Sequence, residues 1–127
     1  MARQKTPHLT PLELEIMHVL WNEGASNVQA VQQHLERELA YTTVQTMLNI
    51  LVRKRRAKRT LVDRAYRYRA AVSREQTAGN TLRDLVERMF GGSAEALVLS
   101  LVETSQLTPE TLKRLNEMVE KGEKRDE

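Results

Sequence analysis

The 127 residues include no cysteine, which excludes a disulfide framework, thiolate zinc or copper sites, iron–sulfur clusters and a cysteine nucleophile. Long hydrophobic runs are missing as well. The longest, residues 96–99 and 101–102, fall far short of the ~20 residues a membrane span needs. Met1 to Thr6 lack the apolar stretch of a signal peptide. The expectation is a soluble, cytoplasmic protein without membrane insertion. Five glycines, three prolines and 4% aromatics disfavour a sandwich or barrel and favour helices. So few aromatics also disfavour a binder that stacks single-stranded bases.

The residues of catalysis are sparse. No Gly-rich phosphate loop or G-x-S-x-G elbow is present. His8, His18 and His34 are isolated, and aspartates stand only at positions 63, 84 and 126. Glu15 and His18, spaced i, i+3, could share a metal, but no second such pair exists. The chain is therefore expected not to be an enzyme, with no metal and no cofactor; a metal-dependent enzyme built on Glu15 and His18 ranks far below the readings that follow.

What the chain does have is charge, unevenly placed. Residues 1–72 carry 12 Lys/Arg against 6 Asp/Glu, whereas residues 73–127 carry 8 against 11. Residues 53–69 alone hold nine cations and one acid, Asp63. Such a block must stay solvated or meet a polyanion. A basic half joined to an acidic half suits a nucleic-acid reader with a separate protein-interaction module.

Helical signals come in order. Thr10-Pro11-Leu12-Glu13 is a capping box with proline at the first helical position, and Leu12, Ile16, Val19 and Leu20 form a stripe ending before Gly24. Ser26 and Asn27 stand at the start of a second helix, with Asn27 or its neighbour as cap; Val28, Val31, Leu35 and Leu39 carry that helix to about residue 39. A third helix opens at Tyr41-Thr42-Thr43 with Thr42 as expected N-cap and Val44, Met47, Leu48 and Leu51 as its apolar side. Its opposite side presents Thr42, Gln45, Thr46, Asn49 and Arg53.

Past Arg53 the period becomes two. Residues 60–62 and 66–68 flank Asp63-Arg64-Ala65, with Tyr66, Tyr68 and Ala70 alternating against Arg67 and Arg69, as in a hairpin with one wet face. Three helices and a hairpin make a winged helix-turn-helix over residues 1–72. Ser73 with Gln76, Ser93, and Thr108-Pro109 then start three more helices, and the charged tail from Glu120 to Glu127 is expected to fray. The fold class is mainly α, with residues 73–127 a helical dimerisation domain. Three such short helices are marginal alone. Their stripes, with Leu82, Leu85, Met89, Leu97, Val98, Leu101, Leu112 and Leu115, must cover either the N-terminal domain or a second copy. The second copy is preferred, because one patch then serves twice and fixes the spacing of two N-terminal domains. Trp21 reads as core or subdomain packing.

The site follows from the same layout. Short hydrogen-bonding side chains near a helix N-terminus suit the major groove. Gln45 could pair with adenine, and Thr42, Thr43 and Thr46 could touch thymine methyls or phosphates, with Asn49 and Arg53 further along the same side. Arg55, Lys58, Arg59, Arg64 and Arg67 are expected to contact the phosphate backbone. A rival from another class is a protein–protein adaptor that grips an acidic partner without recognising DNA.

Residues 9–21, Tyr41-Thr-Thr-Val-Gln-Thr-Met-Leu48, Tyr66-Arg-Tyr-Arg-Ala70, and the run from Gly91-Gly-Ser through Leu107-Thr108 resemble, in order, the penicillinase-repressor family (BlaI/MecI/CopY type) of winged-helix transcriptional repressors. The resemblance covers roughly residues 9–120. It implies a homodimer on an inverted-repeat operator, the third helix in the major groove, and an upstream sensor protease in members governing β-lactam resistance. Three departures stand out. The family's usual Lys-Gly after the third helix is Lys54-Arg55 here, which removes an easy left-handed cap and adds charge for phosphates. The family's Asn-Phe cleavage position aligns with Ser100-Leu101, which argues against proteolytic induction at that bond. The C-terminal cysteine pairs of the copper-responsive branch have no counterpart.

Overall fold

The computed structural model describes residues 8–126, with side chains to residue 122. The N-terminal residues read for a signal peptide, and Glu127 of the charged tail, lie outside the described residues. The element order is three helices, a two-stranded antiparallel sheet and three further helices, so the mainly α, winged-helix layout holds.

Helix α1 (Pro11–Glu23) starts as its sequence dictates. The Thr10 hydroxyl accepts from the Glu13 amide at 3.2 Å, and the Glu13 carboxylate accepts from the Thr10 amide at 2.7 Å. Two amides that the helix end leaves without partners are thereby satisfied. The helix stops where Gly24 takes φ +80° and donates to the Leu20 carbonyl. Ser26 then pairs with Tyr68 in both directions, at 2.9 and 2.8 Å, as a one-residue third strand. The cap of α2 (Val28–His34) is Asn27, whose side chain accepts from the Ala30 amide at 2.8 Å.

Two boundaries differ from the sequence-based expectation. Helix α2 ends at His34 and not near residue 39, because Leu35 turns extended (φ −76°, ψ 142°). Leu35 and Leu39 still pack on the core. Gln32 Nε2 donates to the Leu39 carbonyl at 2.8 Å and secures the returning chain, while Arg37 pairs with Glu15 of α1. Helix α3 (Tyr41–Arg53) has Ala40, not Thr42, at its N-cap, with no side-chain cap. Thr42 and Thr43 therefore lie within its first turn.

The core draws on every element of this half. Ile16, Met17 and Leu20 of α1, Val28 and Val31 of α2, Val44, Leu48 and Leu51 of α3, and Ala57 and Tyr68 of the hairpin are all buried. Strand β1 (Ala57–Val62) pairs with β2 (Ala65–Ala70) from Ala57↔Ala70 to Val62↔Ala65. β1 thus starts three residues earlier than the alternation suggested, and the turn is Asp63-Arg64 alone. Both turn residues have positive φ, 49° and 69°, the two-residue hairpin geometry that glycine or asparagine usually fills. Trp21 is half-buried against the core and donates Nε1–H to the Val72 carbonyl at 2.9 Å. Its packing role is as expected.

The chain divides into two compact units, one ending at Thr81 and one beginning at Leu82. This lies beyond the boundary drawn after residue 72, because the first turns of α4 (Arg74–Met89) are held by the first unit. Ser73 and Gln76 form a second capping box. Arg74 donates to Asn22 at 2.7 Å and lies over the Trp21 ring.

The second unit comprises the rest of α4, α5 (Ala94–Glu103) and α6 (Pro109–Asp126). Ser93 and Thr108 cap the last two through their side chains, and the tail from Glu120, expected to fray, continues α6 to Asp126. No described side chain between residues 82 and 122 is fully buried. Leu82, Leu85, Met89, Val98, Leu99, Leu112 and Leu115 are exposed, Met89 by 70%. Leu97 and Leu101 are half-buried. Among the described residues, no helix is long and apolar enough to cross a membrane.

Candidate nucleic-acid interface

Helix α3 presents its polar side as the 3.6-residue period requires. Val44, Leu48 and Leu51 are wholly buried, whereas Thr42, Thr43, Gln45, Thr46 and Arg53 are exposed. The first helical hydrogen bond runs from the Val44 amide to the Ala40 carbonyl. The amides of Tyr41, Thr42 and Thr43 consequently project from the positive end of the helix dipole, a setting favourable to a phosphate.

Asn49, expected to face a ligand, is half-buried and tied to the hairpin. Its Oδ1 accepts from Arg59 Nη1 at 2.9 Å and from the Tyr68 hydroxyl at 3.0 Å. Arg59 also lies over the Tyr66 ring, 4.2 Å from the centroid. These contacts turn one face of the hairpin, with Arg59 and Tyr68, toward α3. The register places Lys58, Arg67 and Arg69 on the other face. Arg64 occupies the tip, and Arg55 stands between α3 and β1.

The entry into the wing is a Schellman cap. Arg56 donates to the Leu51 carbonyl at 2.9 Å and Arg55 to Val52 at 3.0 Å, with Arg55 at φ 63°. An arginine thus takes the left-handed position that a glycine would fill with less strain.

The cations here lack counter-ions. Arg53, Arg55, Lys58, Arg59, Arg64, Arg67 and Arg69 form no ion pair among the described residues. Elsewhere in this half, Arg37 pairs with Glu15, His34 with Glu23, and Lys54 with Glu13. Among the described residues up to Val72, the cations without an ion pair lie at α3's end and on the wing.

The sequence reading missed Arg69, Tyr68's hydroxyl and Lys54's partner. Arg69 was legible from its alternation with Arg67; the other two arise from contacts between distant segments. The remaining chemistry is ordinary. Glu15 is engaged by Arg37 and His18 sits edge-on to Trp21, 5.2 Å between centroids. Among the described residues, no group of three or more His, Asp or Glu is placed to hold a metal.

The profile of a family described as Penicillinase repressor matches residues 9–121. The penicillinase repressor of Bacillus licheniformis is 25% identical over 124 residues, covering 96% of this chain and 97% of that protein. The transcriptional regulator BlaI of Mycobacterium tuberculosis is 33% identical over 103 residues, covering 78% of this chain and 75% of its own. Among solved structures, the monomeric form of B. licheniformis BlaI in complex with the blaP half-operator aligns with 56% of this chain and 89% of that one. The TM-score is 0.48 and the identity 27%.

Proposed function

The chain belongs to the penicillinase repressor family, and from that premise we propose that it is a sequence-specific DNA-binding transcriptional repressor, not an enzyme, that acts as a homodimer on an inverted-repeat operator in the cytoplasm. One observation carries the reading: seven cations without counter-ions among the described residues stand at the end of α3 and on the wing that follows it. A duplex supplies the missing negative charge and has a groove of helix width.

In this reading Gln45, Thr46 and Thr42 meet base edges, and Thr43 and the α3 amides meet a phosphate. Arg53, Arg55, Lys58, Arg59, Arg64 and Arg67 neutralise the backbone. Asn49 retains its amide N–H groups for the groove while its oxygen fixes the wing. The uncovered leucines of α4, α5 and α6 support pairing of two copies through residues 82–122, which would present two α3 helices to two half-sites. Release by a sensor protease is an expectation of the family; the Ser100–Leu101 bond lies inside α5, and its helical backbone must open before a protease can take it as an extended strand.

Footprinting of the full chain on DNA upstream of its own gene tests the reading. Protection of two symmetric half-sites, with affinity falling steeply as salt rises, is expected. Equal binding to a carboxylate-rich polymer would overturn it in favour of a protein adaptor.

A further inference from the structure

Helix α4 crosses from the first unit into the second, since it runs from Arg74 to Met89 and the first unit ends at Thr81. Its first turn is clasped to α1. The Arg74 guanidinium donates to Asn22 at 2.7 Å and lies 5.7 Å from the Trp21 ring centroid, while Trp21 itself donates to the Val72 carbonyl. The Ser73–Gln76 capping box closes the same end. Past the boundary, Arg88 pairs with Asp84 at 3.1 Å, and Leu82, Arg83 and Leu85 are strong helix formers. Between these supported stretches stand Gly79, Asn80 and Thr81, three residues that favour a helix poorly. A β-carbon on Gly79 would meet nothing within 4 Å. No close approach demands glycine there, and alanine would only stiffen the helix. The Thr81 hydroxyl donates back to the Thr77 carbonyl at 2.9 Å, a contact that bends helices. The Thr77 hydroxyl is shut from water without a hydrogen-bond partner among the described residues. Opening this turn hydrates it, which offsets part of the cost of bending.

We propose that residues 79–81 form a bending point inside α4, and that Gly79 thereby sets the range of half-site separations the dimer accepts. Gly79 is a positioning residue, acting only through the helix that carries the DNA-binding unit. The Arg74 clasp makes residues 74–81 part of that unit, so the flexing lies within the helix and not before Ser73. One added base pair moves a half-site by about 3.4 Å and turns it by about 35°. A stiff α4 rejects that change; a helix that bends at a glycine absorbs part of it. The consequence for DNA rests on the homodimer reading, whereas the bending itself does not.

The test compares the full-length wild type with Gly79→Ala in two measurements. Amide hydrogen exchange is followed by NMR without DNA. The amides of residues 80–84, which bond to the carbonyls one turn earlier, should be less protected in the wild type than the turns on either side. Gly79→Ala should raise their protection by about fivefold. Affinity is then measured for a single half-site, for the footprinted pair, and for that pair spread by one base pair. Gly79→Ala should bind the single half-site as the wild type does, yet lose about tenfold more than the wild type on the spread pair, because linker stiffness governs two-site binding. A merely structural glycine would shift all three duplexes together. The proposal is overturned if wild-type protection runs evenly through residues 80–84, or if the ratio of spread to native pair is the same in both proteins. Should a pair of half-sites bind no more tightly than one, the homodimer reading fails, and the exchange profile alone decides the bending point.

Discussion

Lys54, the C-cap residue of α3, donates its ammonium to the carboxylate of Glu13 in the first turn of α1 at 2.8 Å, and Glu13 is 2% exposed. The same carboxylate accepts from the Thr10 amide. One side chain thus closes a capping box and joins the start of the first helix to the end of the third.

That geometry sets a pH dependence. Burial pushes the Glu13 carboxyl upward, but hydrogen bonds from Lys54 and Thr10, with the Lys54 charge, outweigh it and leave the group below its usual value of 4.5. The stabilisation is complete above the unfolded-state pKa and disappears as pH falls through the lowered folded value. Glu13→Gln keeps the cap acceptor and removes the charge. It should cost about 2–3 kcal/mol at neutral pH, since Lys54 loses its counter-ion in a mostly buried setting. Urea denaturation should show the difference between wild type and variant shrinking in strong acid; a difference constant with pH would contradict the pairing.

Gln45→Ala and Arg64→Gly should part company. Gln45 is exposed on α3, and its loss should reduce discrimination between operator and random duplex by about 1–3 kcal/mol. Arg64 sits at the wing tip with φ 69°. Glycine there should stabilise the hairpin by about 1 kcal/mol while lowering affinity for both duplexes alike. Competition binding with the two duplexes measures each ratio, and an unchanged ratio for Gln45→Ala would remove that residue from base reading.

Asn49→Ala deletes the acceptor shared by Arg59 and the Tyr68 hydroxyl. The expected loss is about 1–3 kcal/mol of stability, together with weaker DNA binding as Arg59 is released. Tyr68→Phe should reproduce part of the stability loss. If Tyr68→Phe has no effect while Asn49→Ala still destabilises, the shared acceptor does not hold helix and wing together.

Leu85→Glu combined with Leu115→Glu places charges on two exposed apolar positions of the second unit. Sedimentation should show monomers, and affinity for a two-half-site duplex should drop toward that for a single half-site. Intact dimers would move the interface elsewhere.

Local rules were legible in the sequence wherever a few neighbouring residues decide the outcome. Thr10 with Glu13 and Ser73 with Gln76 announce helix starts because the partners are three residues apart. The end of α2 was not legible in the same way. Leu35 and Leu39 satisfy helical spacing, yet both also reach the core from an extended, bent segment, so periodicity cannot choose between the two. The start of α3 was misread because threonine suits both a cap and a first turn, and here tertiary packing places Ala40 at the boundary. On the candidate site, the exposed side of α3 and the basic wing followed from spacing and charge. The tie between Asn49 and Arg59, the burial of Glu13 against Lys54, and the opposition of Lys58 to Arg69 depend on how distant segments meet. No local pattern encodes them.

The leucines and methionines of residues 82–122 that meet water have a consequence for abundance. A unit that dries its apolar side chains by the proposed pairing would melt at a temperature that climbs with the amount of protein in the tube, whereas the N-terminal half, with a buried core of its own, would melt at a fixed one. Diluting the protein should therefore pull two superimposed thermal transitions apart.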